Sequence, residues 1–319
     1  MLIAPANSRS RANERKAKPY CKCWNKKTPL LWKQLRNCSC GEDNDVNEWR
    51  WSTPDSSSSW VVISEDRKQV TFHPFYSSGT AVAKGDTPLL HNYHHYWEVK
   101  ILTDTYGTDI MVGLGTDKVD TTESQFKFTS LLGQNEESYG LSYTGAVRHN
   151  GMVARDSAGF CRGSIVGVRV DLWRGTLEFY LNRKPLGISF YNLRRHRALY
   201  PMVCSTAAQS SMRLIYAASW RASLLVDAAK VLASARPPGR PERPVRVPPG
   251  LWYTFRSQFW LTLPSEGGHS DEESEKDEST DTETVKMTKS MLNEVLPDQF
   301  VNGYYVDGVE PDYRIVVRE

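Results

Sequence analysis

The sequence predicts an all-β sandwich followed by a small helical module, with a flexible segment on either side of the pair. Three observations carry this. Between Trp49 and Tyr216, short β-prone runs recur at regular spacing, divided by turn residues, which is the texture of a sandwich. After Tyr216 that texture stops, and "SLLVDAAKVL" (223–232) follows, free of Gly and Pro and apolar on one side, as a short amphipathic helix. The ends are polarised: residues 1–37 carry ten Lys/Arg against the single acid Glu14, and residues 265–284 carry nine Asp/Glu against the single Lys276. The 319 residues thus divide into a basic, flexible arm (1–45), the sandwich (46–218), the helical module (219–264), an acidic disordered linker (265–284) and a tail (285–319) whose role the residues do not assign.

Taken in order, the arm is extended and polar, with "TPLLWKQL" as one short helix. The strands then come quickly: "WVVIS", "QVTFH", "YWEVKIL", "DIMVGLGT", "SYGLSYT", "IVGVRVDL", "TLEFYLN", "LYPMVCS" and "SMRLIY". In "HYWEVKI" the alternation puts Tyr96, Glu98 and Lys100 on one face and Trp97, Val99 and Ile101 on the other. Turn signals at Arg174-Gly175 and Asn182-Arg183-Lys184 bracket Thr176–Leu181, which predicts a hairpin meander. Beyond the helix lies the Pro/Arg-rich "SARPPGRPERPVRVPPG", then "LWYTFRSQFWLTL", where Leu251, Phe255 and Phe259 fall at i, i+4 and i+8. The linker is Ser/Thr-rich, acidic and almost free of apolar residues, hence disordered.

A hydrophobic fraction of 39% and ten Trp suffice for a sizeable core. The N-terminus has no apolar run of signal-peptide length, and no stretch reaches the ~18 apolar residues of a membrane span. The chain is therefore expected in the cytoplasm and/or nucleus, with its six Cys reduced and no membrane partner. The basic arm reads as a solvated segment; nucleic acid or an acidic protein is the lesser alternative. Four thiolates at Cys21-x-Cys23 and Cys38-x-Cys40 could bind zinc tetrahedrally. The commoner knuckle spacing is C-x-x-C, however, so no metal or other cofactor is expected and the cysteines are read as free thiols in a loose arm.

No catalytic constellation stands out. His91, His94 and His95 lie close in "HNYHHYWE", but the segment enters a strand, where neighbouring side chains alternate faces, and a polar, aromatic turn is the better reading. G-x-S-x-G, H-E-x-x-H and a P-loop are missing, so the chain is not read as an enzyme. A sandwich without an active site binds through loops at one end of its sheets. Here these are 73–86, 103–108, 119–133 and 204–211, which mix small, hydroxyl and aromatic residues suited to an extended peptide. Tyr76, Tyr106, Phe126, Phe128, Thr206 and Ala207 are the candidate contacts. In the helix, Leu224, Leu225, Ala228 and Leu232 form one stripe, Asp227 and Lys230 lie elsewhere, and Ser223 can cap the N-terminus. That stripe could pack on the sandwich or accept a partner.

"HYWEVKI", "YGTDIMVGLGT", "SLLGQNEESYGLSYTG", "GSIVGVRVDLWRGTLEFYLNRKPLG" and "LYPMVCSTAAQSSM" together resemble the SPRY domain-containing SOCS box family, over residues 49–260. The resemblance implies a bent β-sandwich, the SPRY domain, that binds a short segment of a target protein. It also implies a helical SOCS box (219–264) that docks elongin C with elongin B, and then a cullin, chiefly cullin 5 with its RING-finger partner. The chain would be the non-catalytic substrate-recognition subunit of a ubiquitin ligase, directing its target to the proteasome. The elongin motif of such boxes is a small or hydroxyl residue, Leu, three residues, Cys, three residues and an apolar residue. Ser223, Leu224, Ala228 and Leu232 fall on it, with Leu225 beside the anchor Leu224 and Ala228 in place of Cys. The cullin motif, Leu-Pro-apolar-Pro, matches Val245-Arg246-Val247-Pro248 and the following Pro249 and Leu251 only in part. Relatives that bind an Asn-rich peptide use a Tyr where Phe128 stands and Val-Trp where Thr206-Ala207 stand, which implies a different degron read by the same loops.

Overall fold

The computed structural model describes residues 16–21, 23, 38–42, 45–53, 60–119, 123–234, 250 and 263. All of them belong to one compact unit, Met1–Glu272. The strands are β1 (Val61–Ile63), β2 (Gln69–Phe72), β3 (Ala81–Lys84), β4 (Tyr93–Ile101), β5 (Ile110–Gly115), β6 (Ser138–Ser142), β7 (Ala146–His149), β8 (Met152–Asp156), β9 (Ile165–Asp171), β10 (Thr176–Leu181), β11 (Lys184–Phe190), β12 (Tyr200–Ser205) and β13 (Ser210–Arg221), followed by helix α1 (Leu224–Ser234). They form a seven-stranded sheet, β1-β2-β13-β4-β9-β10-β11, and a six-stranded sheet, β3-β12-β5-β6-β7-β8. Among the described residues no helix is long and apolar enough to cross a membrane.

The sheets face each other across a core in which Trp97, Val99 and Ile101 of β4 and Val166, Val168 and Val170 of β9 meet Val112, Leu114 and Leu141. Trp49 lies edge-on to Trp51 and Trp97, with centroids 5.0 and 6.1 Å apart, a favoured aromatic geometry. The predicted meander is present. β9 and β10 pair around Gly175 at φ +78°, and β10 and β11 pair around Asn182 and Arg183, both at positive φ, as a two-residue hairpin turn requires.

Three expectations about the strands are corrected. The strand signal does not end at Tyr216: after a bulge between Leu214 and Tyr216, β13 runs on to Arg221, paired with Trp97 back to Tyr93 of β4. Pairing carries it through "AASWR", whose small residues hide the strand in the sequence. Likewise β3 falls in the predicted loop 73–86, yet Ala81–Lys84 pair with β12 from Ser205 to Met202. Tyr93, His94 and His95, read as turn, open β4.

The arm is corrected most. Residues 16–21 and 38–42 lie against the sandwich as two limbs of a strap. Ala17 N donates to Gly159 O at 2.8 Å and Cys21 N to Gly163 O at 3.0 Å. Lys100 Nζ donates to Cys38 O at 2.5 Å and Arg183 Nη2 to Gly41 O at 2.8 Å. The reason lies beneath the strap. The Tyr96, Glu98, Lys100 face of β4 is buried, and buried charge must be paired. The strap supplies Glu42 to Lys100 and Arg213, each at 3.2 Å, and Tyr20 to Arg183.

His95 is buried on β4, its Nε2 bonded to Leu90 O at 2.9 Å. Burial lowers its pKa from 6.5 to about 4, outweighing the Leu90 carbonyl, which favours the charged ring. The unfolded chain binds this proton below pH 6.5 and the folded one only near 4. This contribution to stability is thus complete above 6.5 and is lost as pH falls to 4, by about 3 kcal/mol. Urea titrations from pH 7 to 4 should show this limb, to which His73, His149 and His196, also held low by burial, add, and His95→Gln should make it shallower.

Candidate functional site

Two surfaces and one side-chain cluster stand out. The first surface is a rim of loops at one end of the sandwich. The 3-10 turn Glu123–Phe126 is sewn to residues 77–80. Thr80 N donates to Ser124 O at 2.8 Å, Ser78 Oγ to Gln125 O at 3.1 Å and Thr80 Oγ1 to Lys127 O at 2.7 Å. Position 79 must be glycine, because a Cβ there would stand 2.3 Å from Gln125 O. Ser77 Oγ reaches Thr206 O at 2.7 Å, and the Tyr106 hydroxyl donates to Ala208 O, so the four predicted loops form one connected rim.

The rim presents Tyr76, Tyr106, Phe126 and Phe128 to solvent, Phe126 at 73% exposure. It does not present Thr206 and Ala207, which are 3% and 1% exposed. Thr206 Oγ1 accepts from Asp109 N and donates to Asp109 O, both at 3.0 Å, and the Ala207 methyl joins the core. Those two positions support the rim from below. The sequence reading missed Phe75, the most exposed aromatic here at 83%. The adjacent pair in "HPFYSSG" was the available signal.

The second surface is α1. Ser223 caps it as expected, its Oγ accepting from Val226 N at 3.3 Å. The orientation inverts the usual amphipathic arrangement. Leu224 is 82% exposed, and Leu225, Ala228 and Val231 are exposed with it. The inward face carries Val226, Ala229 and the polar pair Asp227 and Lys230. Ala229 packs with Tyr96, Tyr180, Tyr216, Ala218 and Leu263, and Val226 lies against that cluster. Asp227 stands 3.6 Å from His94 Nε2 and 3.4 Å from Arg174, while His94 Nδ1 lies 3.3 Å from Asp171. Burial alone would raise the Asp171 pKa, but hydrogen bonds from His94 and from the amides of Arg174 and Trp173 hold it below the usual carboxylate range. Lys230 Nζ donates to Leu263 O at 2.6 Å, and burial pulls its pKa down to about 7. The polar face turns inward because the sheet surface beneath it is tyrosine-rich and charged. The side chain of Leu232 and residues Val245, Val247, Pro248, Pro249 and Leu251 lie outside the described residues.

The cluster is in the strap. Cys21, Cys23, Cys38 and Cys40 converge, with all four sulfurs within 4.8 Å of one another. Loose, separate thiols, as expected from the sequence, are therefore not what the fold builds.

The profile of the SPRY domain family matches residues 94–218, from β4 to β13. The chain carries a SPRY domain. The match covers the two-sheet core, from the strand bearing Trp97 to the one leading into α1. Over 210 residues the chain is 42% identical to SPRY domain-containing SOCS box protein 3 of Xenopus laevis and 43% identical to that of Xenopus tropicalis. Each alignment takes in 64% of this chain and 58% of the relative, so the chain spans little more than half the length of these proteins. Protein gustavus of Drosophila melanogaster is 27% identical over 177 residues, 52% of this chain and 61% of that protein. Among solved structures, the SPRY domain of human HERC1 is 18% identical with a TM-score of 0.40, covering 48% of this chain and 91% of that one. The TRIM65 PSpry domain is 19% identical with a TM-score of 0.41, covering 59% and 95%.

Proposed function

We propose that this protein is a substrate-recognition adaptor of a ubiquitin ligase. The SPRY rim binds a short segment of a target protein, and the module beginning at α1 docks elongin C, with elongin B, and then a cullin, chiefly cullin 5 with its RING-finger partner. The observation that carries the reading is α1: a helix held to the sandwich by one face and offering Leu224, Leu225, Ala228 and Val231 on the other. An apolar stripe on a fixed helix is a preorganised groove ligand, whose docking costs little ordering entropy. The relatives' names, which pair a SPRY domain with a SOCS box, point the same way.

Leu224 is the anchor in this reading, and Ala228 is small enough for close approach. The rim's Phe75, Tyr76, Tyr106, Phe126 and Phe128 suit apolar and aromatic side chains of an extended peptide. Phe128 has no hydroxyl to offer a polar degron, and Thr206 and Ala207 are buried, so a target lies over the exposed aromatics. The chain itself performs no covalent step.

The test is co-elution of the full chain with purified elongin B/C on size exclusion, beside a chain lacking residues 223–232. Capture by the intact chain and none by the deletion supports the adaptor. Equal behaviour of the two sinks it.

A second reading is a SPRY scaffold uncoupled from ubiquitination. The inward packing of Val226, Ala229 and Lys230 favours it, because the helix already completes the sandwich. It predicts that removing residues 221–264 lowers the melting temperature and that elongin B/C does not bind.

A further inference from the structure

We propose that Cys21, Cys23, Cys38 and Cys40 bind one zinc ion in a tetrahedral all-thiolate site that clamps the two limbs of the N-terminal strap to the SPRY domain. The inference is independent of the adaptor reading.

The geometry is close to that of a filled site. A zinc–sulfur distance of 2.3 Å places the sulfurs of a regular tetrahedron ~3.8 Å apart. Here Cys21 Sγ and Cys38 Sγ are 3.2 Å apart, Cys23 Sγ and Cys40 Sγ are 3.5 Å apart, and no pair exceeds 4.8 Å. The close pairs need to open by only about half an ångström to admit the ion. They are too far apart for a disulfide, whose sulfurs sit at about 2.05 Å. Each C-x-C contributes one thiol to each close pair, so the spacing that argued against a knuckle in the sequence is made good by the meeting of two limbs. Four thiolates are a soft donor set, which selects zinc over magnesium or calcium.

The surroundings fix both limbs independently of any ion. Cys21 is 3% exposed and its amide is bonded to Gly163 O. Gly163 leaves the room this requires, since a Cβ there would sit 3.2 Å from that of Cys21. Lys100 Nζ, itself buried, holds the Cys38 carbonyl and sets a positive charge beside a site that would carry net charge −2. Gly41, at φ +85°, turns the chain directly after Cys40, where a Cβ would collide with Ile165 at 2.4 Å. Binding exchanges the thiol protons for the metal, so uptake releases acid and weakens as pH falls.

The test is metal analysis of the full chain, purified under reducing conditions without chelator, by native mass spectrometry and elemental analysis. About one zinc per chain is expected, falling below a tenth in Cys38→Ser/Cys40→Ser and unchanged in Cys161→Ser, whose thiol lies outside the cluster. Should the double variant not fold, Cys23→Ser and cobalt substitution of the wild type decide. Loss of zinc in the single variant, with a thiolate-to-cobalt charge-transfer band and tetrahedral d–d bands in the wild type, supports the site. Wild-type protein without zinc and with all four cysteines alkylated by iodoacetamide overturns it, as does recovery of two disulfides or of iron in its place.

Discussion

Leu224→Asp is expected to abolish capture of elongin B/C while leaving the SPRY domain as stable as before. The two effects separate because of where the side chain lies. Leu224 is 82% exposed, so its removal opens no cavity in the sandwich. Ser223 still caps the helix, and a carboxylate in the first turn favours the helix dipole. Folding stability should therefore stay within about 0.5 kcal/mol, the range of ordinary surface changes. At a docking interface the same change replaces a buried anchor with a charge that finds no partner. Truncation of such an anchor costs about 2 kcal/mol or more, and the buried charge adds to it, for a loss on the order of a hundredfold in affinity. Calorimetric titration with elongin B/C beside a thermal melt reads both quantities. Binding within a few-fold of the wild type, at an unchanged melting temperature, would falsify the assignment of α1 as the docking helix.

Arg183→Ala should destabilise the domain by about 3–5 kcal/mol, because it strips the guanidinium from a carboxylate that water does not reach. Glu98 is fully buried, and Arg183 holds its two oxygens at 3.0–3.3 Å. The same side chain bonds Gly41 O and the Tyr20 hydroxyl and stacks over the Tyr20 ring at 5.2 Å, so both limbs of the strap depend on it. Tyr96, which donates to Glu98 at 2.7 Å, cannot neutralise the charge alone. Urea denaturation measures the loss, and hydrogen exchange of residues 16–21 and 38–42 should rise with it. The double change Glu98→Leu/Arg183→Met removes both charges and should recover a large part of the stability, since an apolar pair of similar volume replaces a buried ion pair at little cost. A single-variant loss below about 1 kcal/mol would mean that the pair behaves as an exposed one.

The residues that made the fold legible are those whose local chemistry agrees with their tertiary fate. Trp97, Val99 and Ile101 alternate and point into the core. Gly175 and the Asn182-Arg183 pair turn where a hairpin requires positive φ. What the sequence concealed has an equally specific cause. β3 is half Ala with a Lys, and the end of β13 holds Ala217, Ala218 and Ser219, residues whose strand preference is weak; the partner strand decides them. Asp227 and Lys230 lie off the apolar stripe, and they turn inward because the sheet beneath offers charge and tyrosine hydroxyls in return. Thr206 and Ala207 read as loop contacts, but Thr206 is drawn inside by bonds from its amide and hydroxyl to the Asp109 backbone, and the Ala207 methyl joins the core.

By itself the sequence determined the sandwich, its core strands, the capped helix after it and the aromatic loops at its rim, because each depends on periodicity or turn chemistry within about ten residues. Only the tertiary structure decided which face of α1 is free, which rim residues are exposed, and that four cysteines in two distant C-x-C pairs meet at one point. These depend on pairing between segments far apart in the chain. The buried charges of β4 hold the strap in place, since Glu98 and Lys100 are paired by groups that only the strap and the β10–β11 turn can bring to them.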